Sequence, residues 1–142
     1  MSLDEVKKRF VEEVKLRGFE DKYIDKNEER EILQIALQHG VGVDGARAAL
    51  IQVCETNGYV IESKVMMQAK DLLDTLAGSD GKIDEKEFND CVTQLKKRCQ
   101  GKKNDIQVKR MVIEIIDDNS YKVKTGLFSN WFNRVKKEVG MA

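Results

Sequence analysis

The pattern Asp-x-x-Ile-Asp-x-x-Glu occurs twice, at Asp21, Ile24, Asp25 and Glu28 and again at Asp80, Ile83, Asp84 and Glu87. The interval from Ile24 to Ile83 is longer than a short solenoid repeat and fits two related helical halves. In each copy the second Asp and the Glu have capping-box spacing. The Asp oxygen can accept the orphan N–H three residues on, while the Glu reaches back to the Asp backbone. Each bend is therefore expected to launch a helix.

The second copy also matches half of a twelve-residue EF-hand calcium loop, whose ligands come from positions 1, 3, 5, 7, 9 and 12, with Gly at position 6. With Gly81 at position 6, Asp80 is position 5, Ile83 is position 8, Asp84 is position 9 and Glu87 is position 12. Positions 1 and 3 then fall on Leu76 and Gly78, which carry no side-chain oxygen, so a complete high-affinity loop is excluded. In the first copy Lys22 stands where the second has Gly81. Two readings stay open for these acidic turns: helix-start chemistry, or a divalent-cation site such as calcium.

A chain of 142 residues without a single Pro, 41% hydrophobic and 35% charged, suits one helix-rich domain spanning 1–142. Its core is expected at about 20–118, with a basic amphipathic segment at about 120–140. No apolar run approaches the ~18 residues of a membrane span, and the N-terminus is charged from Asp4, so a cytoplasmic protein is expected. Cys54, Cys91 and Cys99 form no Cys-x-x-Cys pair and His39 is the sole histidine, which points to buried free thiols instead of a zinc site. The net charge of zero conceals an asymmetry. Residues 96–142 carry 12 Lys and Arg against 5 Asp and Glu, whereas residues 1–95 carry 13 against 20.

Hydrophobic periodicity and caps predict six helices and a seventh helical segment. The first follows Ser2 to Arg17, and the second runs from about Glu28 to His39. The third is capped by Asp44 and closed by Asn57-Gly58. After the extended connector Tyr59-Val60-Ile61, a fourth runs from about Ser63 to Gly78, with Met66 and Met67 read as core filler. Asp84 caps a fifth and Asn104 opens a sixth that ends near Asp117. The last segment, about 125–139, gathers Phe128, Trp131 and Phe132 with Lys136 and Lys137. Such a segment can complete the core, or it can face a partner groove or an anionic membrane surface.

Tyr23-Ile24-Asp25-x-x-Glu28, the turn Gly40-Val41-Gly42-Val43-Asp44, and Asp80-Gly81-Lys82-Ile83-Asp84-x-x-Glu87 together resemble the TerB-like family of bacterial all-helical domains, named for tellurite resistance. The resemblance covers about residues 20–118, and the Trp131 segment is not part of it. It implies an all-α fold, a single compact bundle of about six or seven helices with two EF-hand-like half-loops. It further implies a non-enzymatic module in stress or envelope-associated assemblies, in some members binding divalent cations. The positions that would inherit the acidic cluster are Asp21, Asp25, Glu28, Asp80, Asp84 and Glu87.

No phosphate loop, His-Glu-x-x-His or Gly-x-Ser-x-Gly motif is present, so an enzyme is not expected. The leading expectation is an adaptor or accessory subunit that recognises another protein, with Trp131, Phe128, Phe132, Lys136 and Lys137 as its partner-binding residues. The alternative is a calcium sensor or buffer using the acidic turns, with Asp74 or a backbone carbonyl as an additional ligand. The same C-terminal segment offers a peripheral contact with the inner membrane. Nucleic acid is not expected, because Lys96, Lys97, Arg98, Lys102, Lys103, Lys109 and Arg110 lack interleaved aromatics.

Overall fold

A computed structural model describes residues 2–125 and 130–141. The fold is all-α: among the described residues, seven α-helices and one 3₁₀ turn are joined by four two-residue strands. Their order is α1 (Leu3–Arg17), β1 (Tyr23–Ile24), α2 (Lys26–Gln38), α3 (Val43–Thr56), β2 (Val60–Ile61), α4 (Glu62–Ala77), β3 (Lys82–Ile83), α5 (Glu85–Arg98), α6 (Asp105–Asp118), β4 (Lys122–Val123) and α7 (Trp131–Glu138). Contacts group the chain into two compact units, Met1–Lys64 and Val65–Ala142, with the division inside α4.

The spacing of the two acidic bends extends through the neighbouring helices. The starts of α1 and α4, Leu3 and Glu62, are separated by the same interval as Ile24 and Ile83, and so are the starts of α2 and α5, Lys26 and Glu85. The buried positions Val6, Phe10 and Val14 of α1 correspond to Val65, Ala69 and Leu73 of α4. The helix α5 is longer than α2 and the connection before α6 is longer than the one before α3, which together widen the interval equally for α3 and α6 and for β2 and β4. Both later helices end the same way: Asn57 and Asn119 each donate a side-chain N–H to the carbonyl four residues earlier, at 2.8 Å. The order helix, bend, helix, helix, strand is thus written twice.

In the first unit, β1 and β2 pair in parallel, Tyr23 with Val60 and Ile24 with Ile61. A parallel pair needs a long crossover, here supplied by α2 and α3. Val6, Phe10, Val14, Ile24, Ile32, Leu33, Ala36, Ala46, Ala49, Leu50, Val53, Cys54 and Ile61 form its core. Each large apolar side chain so buried contributes about 1.5–3 kcal/mol. The helix faces therefore outweigh the two-residue ladder, which ties the first bend to the connection between α3 and α4. Gly18 lets α1 end against Tyr59, since a Cβ there would lie 2.6 Å from a ring carbon.

In the second unit β3 and β4 repeat the parallel ladder, Lys82 with Lys122 and Ile83 with Val123. Phe88 and Trp131 pack with ring centroids 5.4 Å apart, and the indole N–H donates to the Lys124 carbonyl at 2.7 Å. The corresponding place in the first unit holds not Phe but Glu29, the one buried charged side chain among the described residues. Its carboxylate accepts the Ser63 hydroxyl at 3.1 Å and lies 3.4 Å from Arg47 Nε.

Several expectations are corrected. Buried side chains reach beyond the limits of 20 and 118, because α1 contributes Phe10 and α7 contributes Trp131, Phe132 and Val135. The N-cap of α3 is Gly42, without a side-chain bond, and Asp44 lies in the first turn, where its charge suits the helix dipole. Met66 is half-buried and Met67 exposed, so neither fills the core. Within the last segment, the described helix is Trp131–Glu138. Cys54, Cys91 and Cys99 are buried as expected, and burial pushes the Cys54 and Cys91 thiols up to about 12.

Lys22 and Gly81 occupy the same place in the two bends, and both are left-handed, with φ of 54° and 66°. For Lys that conformation costs about 1–2 kcal/mol, against a smaller entropic cost of placing Gly there. Lys22→Gly is therefore expected to stabilise the protein by roughly 0.5–1 kcal/mol, read as a higher urea midpoint at unchanged m value. An unchanged or lower midpoint would show that the Lys22 side chain contributes more than its backbone loses.

Candidate functional site

The two acidic bends share one set of bonds. Asp21 accepts the Tyr23 N–H at 3.0 Å and Asp80 accepts the Lys82 N–H at 3.0 Å, each forming an Asx turn. Asp25 accepts the Glu28 N–H at 2.8 Å while Glu28 accepts the Asp25 N–H at 3.3 Å. Asp84 and Glu87 repeat the exchange at 2.7 and 3.0 Å. Both expected capping boxes are complete, and Asn104 with Gln107 forms a third.

Calcium requires six or more oxygens converging at about 2.3–2.6 Å. Here every one of the six carboxylates is engaged with the backbone of its own bend. Asp80 also faces Lys124 at 3.5 Å, and the Lys82 N–H with that cation holds its carboxyl below the usual range. Asp74, expected as an additional ligand, is taken by Lys70 at 3.1 Å and by the Tyr121 hydroxyl. Among the described residues no three His, Cys, Asp or Glu side chains are grouped so as to hold a metal ion. In this arrangement the acidic residues hold bends and helix starts.

What distinguishes the first bend is its surface. Leu16, Arg17, Phe19, Glu20, Asp21 and Glu28 line a cleft of about 350 Å³. Phe19 is 82% exposed and Leu16 72%, the two most exposed large apolar side chains among the described residues. Burial, followed by the nearby charges of Asp25 and Asp21, raises the Glu28 carboxyl above its ordinary value. With the two bends aligned, the sister positions of Leu16, Phe19 and Glu20 are Thr75, Gly78 and Ser79. The second bend forms the same turn and cap without them, so turn geometry does not require the apolar pair. Sequence reading passed over Leu16 and Phe19. Their signal was a pair of large apolar residues flanking the Gly18 helix end, outside the Val6, Phe10, Val14 stripe.

The C-terminal residues expected to face a partner have other work. Trp131 and Phe132 are buried, because their rings close the second unit's core. Phe128 lies outside the described residues. Lys136 pairs with Asp117 at 3.0 Å and sits 4.7 Å from the Phe132 ring centroid, leaving Lys137 exposed. The basic stripe is likewise partly neutralised, by Lys96 with Asp105 at 2.8 Å and Lys109 with Glu138 at 2.9 Å. Arg110 donates to the Val139 carbonyl at 2.6 Å. No helix among the described residues is long and apolar enough to cross a membrane.

Compared with known protein families, curated proteins and solved structures, the chain has no match. What the cleft does must follow from its own chemistry.

Two substitutions separate capping from charge. Asp25→Ala removes the N-cap acceptor and is expected to cost about 1 kcal/mol in urea unfolding. Glu28→Gln keeps the reach-back bond, as Gln107 does at 2.9 Å. A raised folded-state pKa contributes stability below the ordinary value of 4.5 that is lost as pH rises through the folded pKa. The melting temperature of Glu28→Gln relative to wild type should therefore climb as pH rises through that range; a flat difference would refute the burial effect. Millimolar calcium is expected to leave the melting temperature unchanged, and a clear rise would mean that the carboxylates can abandon their caps for an ion.

Proposed function

We propose that this chain is a non-enzymatic protein-interaction module of TerB-like type, an adaptor or accessory subunit of a bacterial stress or envelope-associated assembly. Its docking surface is the cleft beside the first acidic bend. The observation that carries the reading is the exposure of Phe19 and Leu16 at a bend whose sister forms without either. Holding a phenyl ring and a leucyl chain in water forgoes about 1.5–3 kcal/mol for each, relative to burial. A partner that covers them recovers that free energy. Aromatic side chains at the centre of a patch, with polar residues around them, are the usual anchors of protein interfaces.

Two supports come from the rest of the molecule. Burial holds the Cys54 and Cys91 thiols protonated, which deprives them of nucleophilic character near neutral pH. The acidic bends position helix starts, and the first of them holds the cleft residues on a turn next to a helix end.

Affinity capture from the source cells tests the reading when wild type is compared with the double variant Leu16→Ser, Phe19→Ser. Both substitutions are at exposed positions and should leave the melting temperature essentially unchanged. At least one protein is expected to be retained reproducibly by wild type and lost by the variant. Identical captured sets would overturn the assignment of this surface.

A further inference from the structure

Resting on that interaction reading, we infer that the cleft takes a basic amphipathic segment of the partner protein, one that places an apolar side chain against Leu16 and Phe19 and lysines or arginines against the acidic rim. The cleft lining carries three carboxylates, Glu20, Asp21 and Glu28, against one guanidinium, Arg17. That guanidinium is already engaged: Arg17 Nε lies 3.3 Å from Glu13, and its other arm is bonded to Glu31. The lining itself is therefore net negative, and Leu16 and Phe19 are its two apolar side chains, both exposed. Glu20 is exposed, so its charge faces solvent.

The backbone bonds of Asp21 and Glu28 do not remove their charge. Asp21 uses Oδ1 for the turn and Glu28 uses Oε1 for the cap, and each has a second oxygen to offer. A neighbouring cation would also relieve the unfavourable burial of the Glu28 charge, which the Asp25 and Asp21 carboxylates aggravate. An acidic partner would instead add to that repulsion, and a purely apolar one would leave the rim carboxylates partly desolvated without compensation. The volume of about 350 Å³ lies at the low end of small-molecule pockets, so it fits one or two inserted side chains better than a whole ligand.

The test uses the full chain and defined probes: a short amphipathic peptide of leucine and lysine, and its twin with glutamate in place of lysine. Binding is followed by fluorescence anisotropy, and the location by amide NMR shifts. The lysine peptide is expected to bind saturably, with shifts at residues 16–21 and none at the sister residues 75–80. Affinity should fall at least tenfold in Leu16→Ser, Phe19→Ser. It should fall at least fivefold in Glu20→Gln, Asp21→Asn, Glu28→Gln, whose replacements keep the turn and cap bonds and should melt no lower than wild type. Equal binding of the glutamate twin, shifts centred on residues 75–80, or indifference to the charge variant would overturn the inference. So would self-association of the free chain that depends on Phe19, which would make a second copy the occupant. If the peptide fails while capture from cells still depends on Phe19, the basic specificity falls and the docking surface stands. If both fail, the functional reading falls with it.

Discussion

The reciprocal exchange between an Asp backbone and side chain and a Glu three residues on is the constraint from which the rest of this molecule follows. It satisfies two donors that would otherwise be orphaned, Asp25 N–H and Glu28 N–H in one unit, Asp84 N–H and Glu87 N–H in the other. Its geometry fixes where α2 and α5 begin, and the Asx turns of Asp21 and Asp80 fix how the chain arrives there. The isoleucine between them, Ile24 or Ile83, is thereby directed inward as a fully buried side chain. Each bend thus couples a polar network at the surface to an apolar anchor below it.

Because the bend is self-sufficient, it can be reused with different surroundings. The first unit adds the buried Glu29, tied to Ser63 and Arg47, and has Glu62 accept from the Tyr23 hydroxyl and the Lys26 N–H. The second unit replaces Glu29 by Phe88 and packs it on Trp131. A buried, paired carboxylate is a weak source of stability, whereas a packed aromatic pair contributes its area and about 0.5–1.5 kcal/mol more. The second unit is therefore secured by packing at the position where the first holds a charge. The outer surfaces diverge as well, with Leu16 and Phe19 in one and Thr75 and Gly78 in the other.

Much of the helical organisation was legible in the residues themselves. Periodic apolar stripes, the caps at Ser2, Asp25, Asp84 and Asn104, and the stops at Gly40 and Gly58 act within a few residues of one another, so local sequence suffices to specify them. Illegible were the features that depend on what lies across the fold. That Asn104 with Gln107 is a full box was readable, but that Asp44 is not a cap depends on where Gly42 stands in three dimensions. The acidic turns read equally well as ligands or caps, and that both cap bonds are made in each turn depends on where their oxygens lie in three dimensions. Trp131 read equally well as an exposed anchor or a core residue until Phe88 was placed beside it.

By itself the sequence determined an all-α chain with two sister bends, since helix periodicity and reciprocal capping are short-range properties. Only the tertiary structure decided which apolar residues remain outside. Exposure is a property of packing against distant residues, and Phe10 and Phe19 differ in that respect: one is enclosed by the first unit's core and the other stands in solvent.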